Sequence, residues 1–514
     1  MKKSILHTRK ARHVRLSAVL TALVILVTVL ANTVFQTLAD RYGWYSSMSA
    51  PTSEYPAGET SFALLDSAFA SAESRGDDPS VEFIFCDVEK NVLAEETVAY
   101  LYSTVKSLQE HYPDRITVNC YDVTLNPNTV KNYLTSVDPI TGEELENALA
   151  TTSLIVVAKD YHRVYALDEF YAVNETDGSA WAYNGQRKLV SGIIRAITPE
   201  KPVVCLLDNH GEAYFDYELM SFLDDAGYQI CTLDLQTEPL PEDCSLIVSY
   251  NPTTDLIADG VSAVSEVEIL DSFLSEDGHS FLTFLGSASP KLPNFEAFLS
   301  GWGVSFGYYN DTANEATYRY TLQDTANSLT SDGYTVYGAA AEEGRAKELL
   351  EGLGSNVVFK NATVLRAAQG FVNNGDGSYQ KDGRTLYSLY ESNPSAASYA
   401  NGAARDRGGM LMSVTEEKRA TGASFVGVVA STDFVTAEFV QSAVYGNGDS
   451  LLRLCGIFGK GDVPEGLRVQ PFRSYDISTV TISQKWGWTL LLVAIPTVAV
   501  TLIATIVFVK RRRT

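Results

Sequence analysis

The hydrophobic pattern between residues 201 and 303 predicts strands that alternate with helices. Apolar residues recur at helical spacing between short, strongly apolar runs, which is typical of βαβ units around a mostly parallel sheet. The predicted strands are 203–207, 228–233, 246–250 and 280–285, and the predicted helices are 213–225 and 262–275.

Four residues directly after the first of these strands are the candidate functional site: Asn209, His210, Gly211 and Glu212. Ligands bind beyond the carboxyl ends of strands in such sheets, so the turn is placed where a ligand- or partner-binding loop would be. His210 and Glu212 could also act as a general base and its orienting group, with Ser287 as the nucleophile of a hydrolase. In a purely structural interpretation, Gly211 permits a tight turn and Glu212 interacts favourably with a helix N-terminus.

The pattern upstream predicts a second α/β domain. Strands at 81–85 and 116–122 flank a helix at 94–112, and two further strands follow at 154–158 and 163–167. This order is the outline of a thioredoxin-like fold. The first strand is followed by Cys86-Asp87-Val88-Glu89, which has a single cysteine, so we expect no thiol-exchange chemistry.

Downstream of residue 303 the pattern is weaker. It predicts a hairpin or extended insertion at 310–337, a loop at 393–407 and a helix at 434–445. Further elements are expected as helices at 345–353 and from 451, and as strands at 357–365, 384–389, 409–414 and 424–431.

Two uncharged apolar segments, residues 16–39 and 486–509, are each long enough to cross a bilayer. Six Lys or Arg precede the first and four follow the second, so the positive-inside rule predicts two membrane anchors with both termini in the cytoplasm. The intervening residues 40–485 are then extracellular. A cleaved signal peptide is the alternative for the first segment, although its apolar core is longer than usual.

These patterns divide the chain into nine parts. The expected order is a basic tail (1–15), a transmembrane helix (16–39), a linker (40–79), the thioredoxin-like domain (80–185), a connecting helix (186–200), the second α/β domain (201–460), a linker (461–485), a transmembrane helix (486–509) and a basic tail (510–514).

Charge and missing motifs exclude several classes of function. The net charge is −24, and all 63 acidic residues lie within 40–485, which argues against nucleic acid as a partner. The chain lacks GxxxxGK[ST], HExxH and CxxC, so we expect no bound ATP, metal or other cofactor. The six scattered cysteines are interpreted as buried apolar residues or disulfide partners, and their pairing is left open.

Several of these segments together resemble the auxiliary proteins of ABC transporters typified by the gliding-motility component GldG. That family has a Gly-His-Gly-Glu turn, and here Asn209 replaces the first glycine. Further matching residues are Asp122, Asn126-Pro127, Val130, Tyr133, Asn251-Pro252, Asp255-Leu256, Asp277-Gly278-His279-Ser280-Phe281-Leu282, Leu292-Pro293-Asn294-Phe295, Trp302-Gly303, Ala430-Ser431-Thr432-Asp433-Phe434 and Asn447-Gly448-Asp449.

The resemblance implies a flavodoxin- or amidotransferase-like second domain without a nucleophile. It further implies a non-catalytic subunit in the cell membrane, whose partners are an ABC permease and a separate ABC ATPase. The substitution at Asn209 weakens any ligand role carried over to the turn. Two alternatives stay open: a membrane-anchored module that binds cell-wall glycan or peptide, and an ectohydrolase that uses His210, Glu212 and Ser287.

Overall fold

The structure is a computed structural model that describes residues 55–472, with gaps at 138–142, 160, 175–176, 200, 213–216, 259, 261–263, 355 and 460. Scattered positions between 486 and 510 are also described. The described residues form a mixed α/β structure with parallel and antiparallel sheets.

The first half is built on a four-stranded sheet. Val81–Phe85 pairs in parallel with Ile116–Cys120 and antiparallel with Leu154–Ala158, and Tyr161–Tyr165 completes the other edge. The helix predicted at 94–112 is present as Glu96–His111, and a short additional helix, Glu89–Ala94, precedes it because Glu95 adopts an extended backbone between the two. The helices of this half are Glu59–Arg75, Glu89–Ala94, Glu96–His111 and Gly185–Ile197.

The helix Glu59–Arg75 belongs to the core of this half, although its residues fall within the expected linker. Leu65, Phe69 and Ala72 recur at helical spacing and are fully buried. The helix packs against Gly185–Ile197, so the sequence between the first apolar segment and residue 80 supplies part of the fold.

The second half contains one large sheet. Its first five strands are parallel, as the pattern predicts. Four of them are fully or mostly buried, and the fifth, Gln229–Leu233, lies at the edge of the sheet. The sheet then continues through antiparallel strands, which makes it mixed. Its strands are, in spatial order, Gln229–Leu233, Val203–Leu207, Cys244–Tyr250, Ser280–Phe284, Ala423–Val429, Met410–Lys418, Arg384–Glu391, Ser378–Lys381 and Val372–Asn373.

Helices and short strands cover this sheet. The helices are Tyr217–Asp225, Glu266–Leu274, Pro293–Gly301, Gly344–Leu349, Ala437–Val440 and Asn447–Ile457. The additional paired strands are Val304–Phe306 with Leu365–Ala367, Ala339–Ala340 with the end of Arg384–Glu391, Tyr308–Asp311 with Ala316–Arg319, and Thr335–Tyr337 with Val358–Lys360.

Two predictions downstream were wrong. The expected loop at 393–407 contains the strands Ala397–Ala400 and Ala403–Arg407, the first of which pairs with Thr321–Gln323. Their buried positions carry small residues such as Ser398, so no apolar alternation marks them. The expected helix at 434–445 is a 3₁₀ turn, Asp433–Val435, followed by the single helical turn Ala437–Val440, because Thr436 is extended between them.

The two ends of the described region 55–472 meet in the first half, and we call this arrangement the end clasp. Gln470–Pro471 adds a strand to a small sheet formed by Ala180–Tyr183 and Tyr171–Val173. The Phe472 N–H donates to the Trp181 carbonyl at 3.0 Å, and the rings of Tyr55 and Phe472 lie 6.4 Å apart. Residues expected in the second linker are therefore paired with the first half.

The described residues contain no helix with the length and apolarity needed to cross a membrane. The first expected span, 16–39, lies outside the described residues, and the second, 486–509, is described only in part. Within that part, Leu490–Ala494 forms a π-helical turn, and the side chains of Leu490 and Val493 are largely exposed.

Candidate functional site

The turn after Val203–Leu207 has a constrained backbone. Asn209 and Gly211 both have positive φ, at 78° and 67°. A Cβ on Gly211 would lie 2.2 Å from Oγ1 of Thr253, so both the backbone angle and the close neighbour require glycine. The His210 carbonyl accepts hydrogen bonds from the N–H groups of Thr253 and Thr254, which ties the turn to the loop after the neighbouring strand.

His210 is enclosed between two buried carboxylates. Its side chain is 2% exposed, and its Nδ1 lies 3.3 Å from Oε1 of Glu212 while its Nε2 lies 3.0 Å from Oε2 of Glu266. The other oxygen of Glu212 accepts the His210 backbone N–H at 2.8 Å, and Glu266 accepts the Ile257 N–H at 2.7 Å. Both ring nitrogens of His210 are thus directed at protein carboxylates rather than at solvent.

These contacts fix the charge of the imidazole. Burial by itself would lower the pKa of His210, but the hydrogen-bonding carboxylates of Glu212 and Glu266 outweigh it and raise the pKa to about 10. Burial opposes ionisation of Glu266 as well, yet contact with His210 and the Ile257 N–H lowers its pKa. His210 is therefore a cation at neutral pH and has no lone pair with which to act as a general base.

Glu266 is the member of this cluster that sequence reasoning missed. It lies in the first turn of the helix Glu266–Leu274, which begins after the N-cap Ser265. Leu270, Phe273 and Leu274 follow it at helical spacing and are buried. A carboxylate at an apolar-face position is a detectable signal, because such a residue is seldom buried without a partner.

The other turn residues differ from His210 in accessibility. Asn209 is exposed, and its side-chain amide is 3.4 Å from a carboxylate oxygen of Asp234, whereas Glu212 is buried. A ligand approaching the turn would therefore meet Asn209 and its neighbouring carboxylates rather than the imidazole.

Ser287 follows the strand Ser280–Phe284 and is held by its backbone, whose N–H donates to the Asn361 carbonyl at 3.1 Å. Among the described residues, no hydrogen bond joins Ser287 to His210. The structure thus does not bring together the base and nucleophile that the hydrolase hypothesis requires.

Two cavities lie elsewhere in the described part of the chain. One, of about 410 Å³, lies between the helices Glu266–Leu274 and Pro293–Gly301 and is bordered by Arg384 and Arg419. Both arginines already donate to protein carbonyls and carboxylates. The other, of about 540 Å³, is in the first half, above Tyr171 and Val173.

Comparisons with known proteins leave the chain without an assigned family. No family model matches it, and no curated protein matches it. Among solved structures, the exo-β-1,4-mannosidase Op5Man5 from Opitutaceae bacterium strain TAV5 is 14% identical with a TM-score of 0.24, over 68% of this chain and 46% of the mannosidase. PurLQS from Thermotoga maritima is 12% identical with a TM-score of 0.24, over 51% of this chain and 99% of that one. Structural similarity this low defines neither fold nor function. The sheet topology itself makes the chain a mixed α/β protein.

Proposed function

We propose that this chain is a non-catalytic auxiliary membrane subunit of an ABC-type transport system, with a large extracytoplasmic domain that contacts the permease. The observation that carries the proposal is the end clasp. Because Tyr55 and Phe472 lie side by side, the segments that lead to the two expected anchors leave the ectodomain at one place. This is the geometry that a two-anchor subunit needs if both anchors pack against the same permease.

The short segments between the end clasp and the two expected anchors keep the clasp close to the membrane. Residue 55 is 16 positions from the end of the first apolar segment, and residue 472 is 14 positions from the start of the second. A fully extended chain of that length reaches no more than about 55 Å. The ectodomain is therefore tethered on two short connections within contact range of a permease.

The strand order supports the finer fold assignment within this proposal. We assign the first half to a thioredoxin-like fold, on the basis of a sheet in which the second strand is parallel to the first and the third runs antiparallel to both. The fourth strand pairs antiparallel with the third and therefore runs in the direction of the first. The helix Gly185–Ile197 follows as the last element. We assign the second half to a flavodoxin- or amidotransferase-like fold on the basis of its five parallel strands.

The chemistry of the candidate site supports a role without catalysis. His210 is charged and enclosed, and its two partners are carboxylates of the same chain. The cluster instead joins the turn to the helix Glu266–Leu274. The cluster thus holds the turn in place at the carboxyl edge of the large sheet. Asn209 is the residue of the turn that a partner could reach.

Exposed apolar side chains identify the surface that we assign to permease contact. Of the large apolar side chains exposed within the described part of 55–472, two are in the second half, Tyr318 and Val372. The rest lie in the first half: Val88, Leu93, Leu125, Leu134, Val137, Leu145, Val173 and Trp181. We assign permease contact to this half because it carries both the end clasp and most of these exposed apolar side chains.

A pull-down of the full-length chain in mild detergent, followed by mass spectrometry, tests the proposal. We expect an ABC ATPase and a multispanning permease in stoichiometric amounts. Val137→Asp should reduce their recovery, whereas Val372→Asp is the matched control, since the two side chains are 66% and 67% exposed. Repeated absence of both proteins with a folded chain would refute the proposal and favour the cell-wall-binding alternative.

A further inference from the structure

Three cysteines on three neighbouring strands form a thiol cluster in the large sheet. Cys205 on Val203–Leu207 is the register partner of Cys231 on Gln229–Leu233, and their Sγ atoms lie 3.1 Å apart. Cys244 begins the strand on the other side, where it is the register partner of Val203, and its thiol donates to the Leu246 carbonyl at 3.5 Å. Neither the turn at Asn209 nor the proposed permease contact uses these groups.

The backbone places Cys205 and Cys231 within disulfide range. Neighbouring strands are about 4.8 Å apart, and disulfides join Cα atoms separated by about 4.4–6.8 Å. Directly paired residues project to the same face of a sheet, so the two side chains also point in a compatible direction.

The same reasoning excludes a disulfide between Cys86 and Cys120 in the first half. Cys120 is the register partner of Phe85, so it projects to the same face of the first sheet as Phe85. Cys86, the next residue, projects to the opposite face because side chains alternate along a strand. Cys455 lies on the helix Asn447–Ile457 and is buried.

We propose that Cys205 and Cys231 are a redox pair that closes to a disulfide when the chain meets a disulfide oxidant, such as oxidised glutathione or a protein disulfide. Cys231 is the entry point, because it is partly exposed on the outermost strand while Cys205 is fully buried. This assignment rests on the contact between the two thiols and is independent of the proposed transport function.

The reaction balances as ordinary thiol–disulfide exchange. Cys231 loses its proton and attacks one sulfur of oxidised glutathione, which forms a mixed disulfide and releases one glutathione. The Cys205 sulfur then attacks Cys231 Sγ, loses its proton and releases the second glutathione. Two protein thiols are oxidised, and one glutathione disulfide is reduced to two thiols.

The order of attack follows from the environment of Cys205. Hydrogen bonds with Cys231 and Cys244, together with burial, raise the pKa of the Cys205 thiol well above its usual range. Since the thiolate is the nucleophile, Cys205 reacts second, when its partner sulfur is already adjacent. The closed bond would hold the edge strand Gln229–Leu233 to the interior of the sheet.

Peptide mapping of the purified full-length chain tests the pair. The chain is incubated with oxidised glutathione, denatured, alkylated and digested without reduction. Trypsin is unsuitable because no Lys or Arg lies between Cys205 and Cys244. Cleavage after glutamate separates all three cysteines, since Glu212 and Glu218 lie between the first two and Glu238 and Glu242 between the last two.

We expect a linked peptide pair containing Cys205 and Cys231, with Cys86, Cys120 and Cys455 alkylated. Cys231→Ser should abolish the link, and Cys86→Ser should leave it unchanged. Full alkylation of both Cys205 and Cys231 after oxidation, or a Cys205–Cys244 link in the unmodified chain, would overturn the proposal. The peptide mapping uses purified protein, so its result does not depend on whether the proposed ABC partners bind.

Discussion

His210 is a buried cation whose charge is set by its two neighbours, Glu212 and Glu266. The imidazolium neutralises one carboxylate, and the backbone N–H groups of His210 and Ile257 satisfy oxygens of both. A buried ionic cluster stabilises a fold little more than well-packed apolar side chains would. Removing one of its members nevertheless lowers the free energy of unfolding strongly, because the remaining charges stay buried without a partner.

His210→Ala leaves two carboxylates facing a cavity. We expect the free energy of unfolding to fall by about 3–5 kcal/mol, measured by urea denaturation of the detergent-solubilised chain. His162→Ala is the control, because this histidine is near the surface and bonds one backbone carbonyl. An unchanged midpoint for His210→Ala would show that the ion pairs do not form.

The same cluster predicts how stability depends on pH. The pKa of His210 is raised from 6.5 to about 10, so its contribution is complete below pH 6.5 and is lost as the pH rises to about 10. The pKa of Glu266 is lowered from 4.5, so its contribution is lost as the pH falls below that value. The difference in unfolding free energy between the wild type and His210→Gln should therefore shrink between pH 6.5 and 10. A constant difference over that range would contradict the raised pKa.

At the scale of elements, the helix Tyr217–Asp225 connects the two halves through its last two residues. Asp225 lies 3.0 Å from Arg187 and 2.6 Å from Lys188, both on the helix Gly185–Ile197, and all three side chains are buried. Asp224 pairs with Arg163 and Arg195 of the same half. The second half is thus joined to the first by opposite charges at one helix end.

Asp225→Ala would leave Arg187 and Lys188 buried without their carboxylate. We expect a loss of about 3–5 kcal/mol in unfolding free energy. Asp277→Ala, which removes a partly exposed partner of Arg419, should cost far less, because solvent screens an exposed ion pair. Denaturant unfolding of both variants measures the contrast, and equal costs would refute the connecting role of Asp225.

The elements also show what sequence patterns can predict. Val203–Leu207 is buried at every position, so its apolar run is a sufficient signal for a strand. Ala397–Ala400 becomes a strand by pairing with Thr321–Gln323, which is distant in the sequence. Its small side chains form no apolar run from which a strand could be predicted. The pattern predicts the candidate turn from Gly211 and its position, whereas Glu266 joins the turn only through folding across the 53 residues between Glu212 and Glu266.

At the scale of the whole molecule, the end clasp lies entirely before the expected second anchor in the sequence. Gln470–Pro471 and Phe472 precede residue 485, and Leu467 and Val469 are buried. A chain ending at residue 485 keeps all of these contacts.

We expect this truncated chain to retain the melting temperature of the full-length chain and to lose the proposed ABC partners in the pull-down. Leu467→Ala in the full chain is the converse variant, expected to cost about 2–5 kcal/mol while the complex is retained. Undiminished recovery of the permease with the truncated chain would rule out packing through the second anchor.

Under the proposed topology, the end clasp also determines how the region between the two expected anchors would respond to tension between them. The strand Gln470–Pro471 has only two register partners, Tyr183 and Ala182, and it is an outer strand. Under the proposed two-anchor topology, a force on the C-terminal tether would reach Phe472 and this short outer strand first, and each freed residue would lengthen that tether by about 3.3–3.6 Å. The N-terminal tether has no such reserve, because Tyr55 belongs to the buried core of the first half.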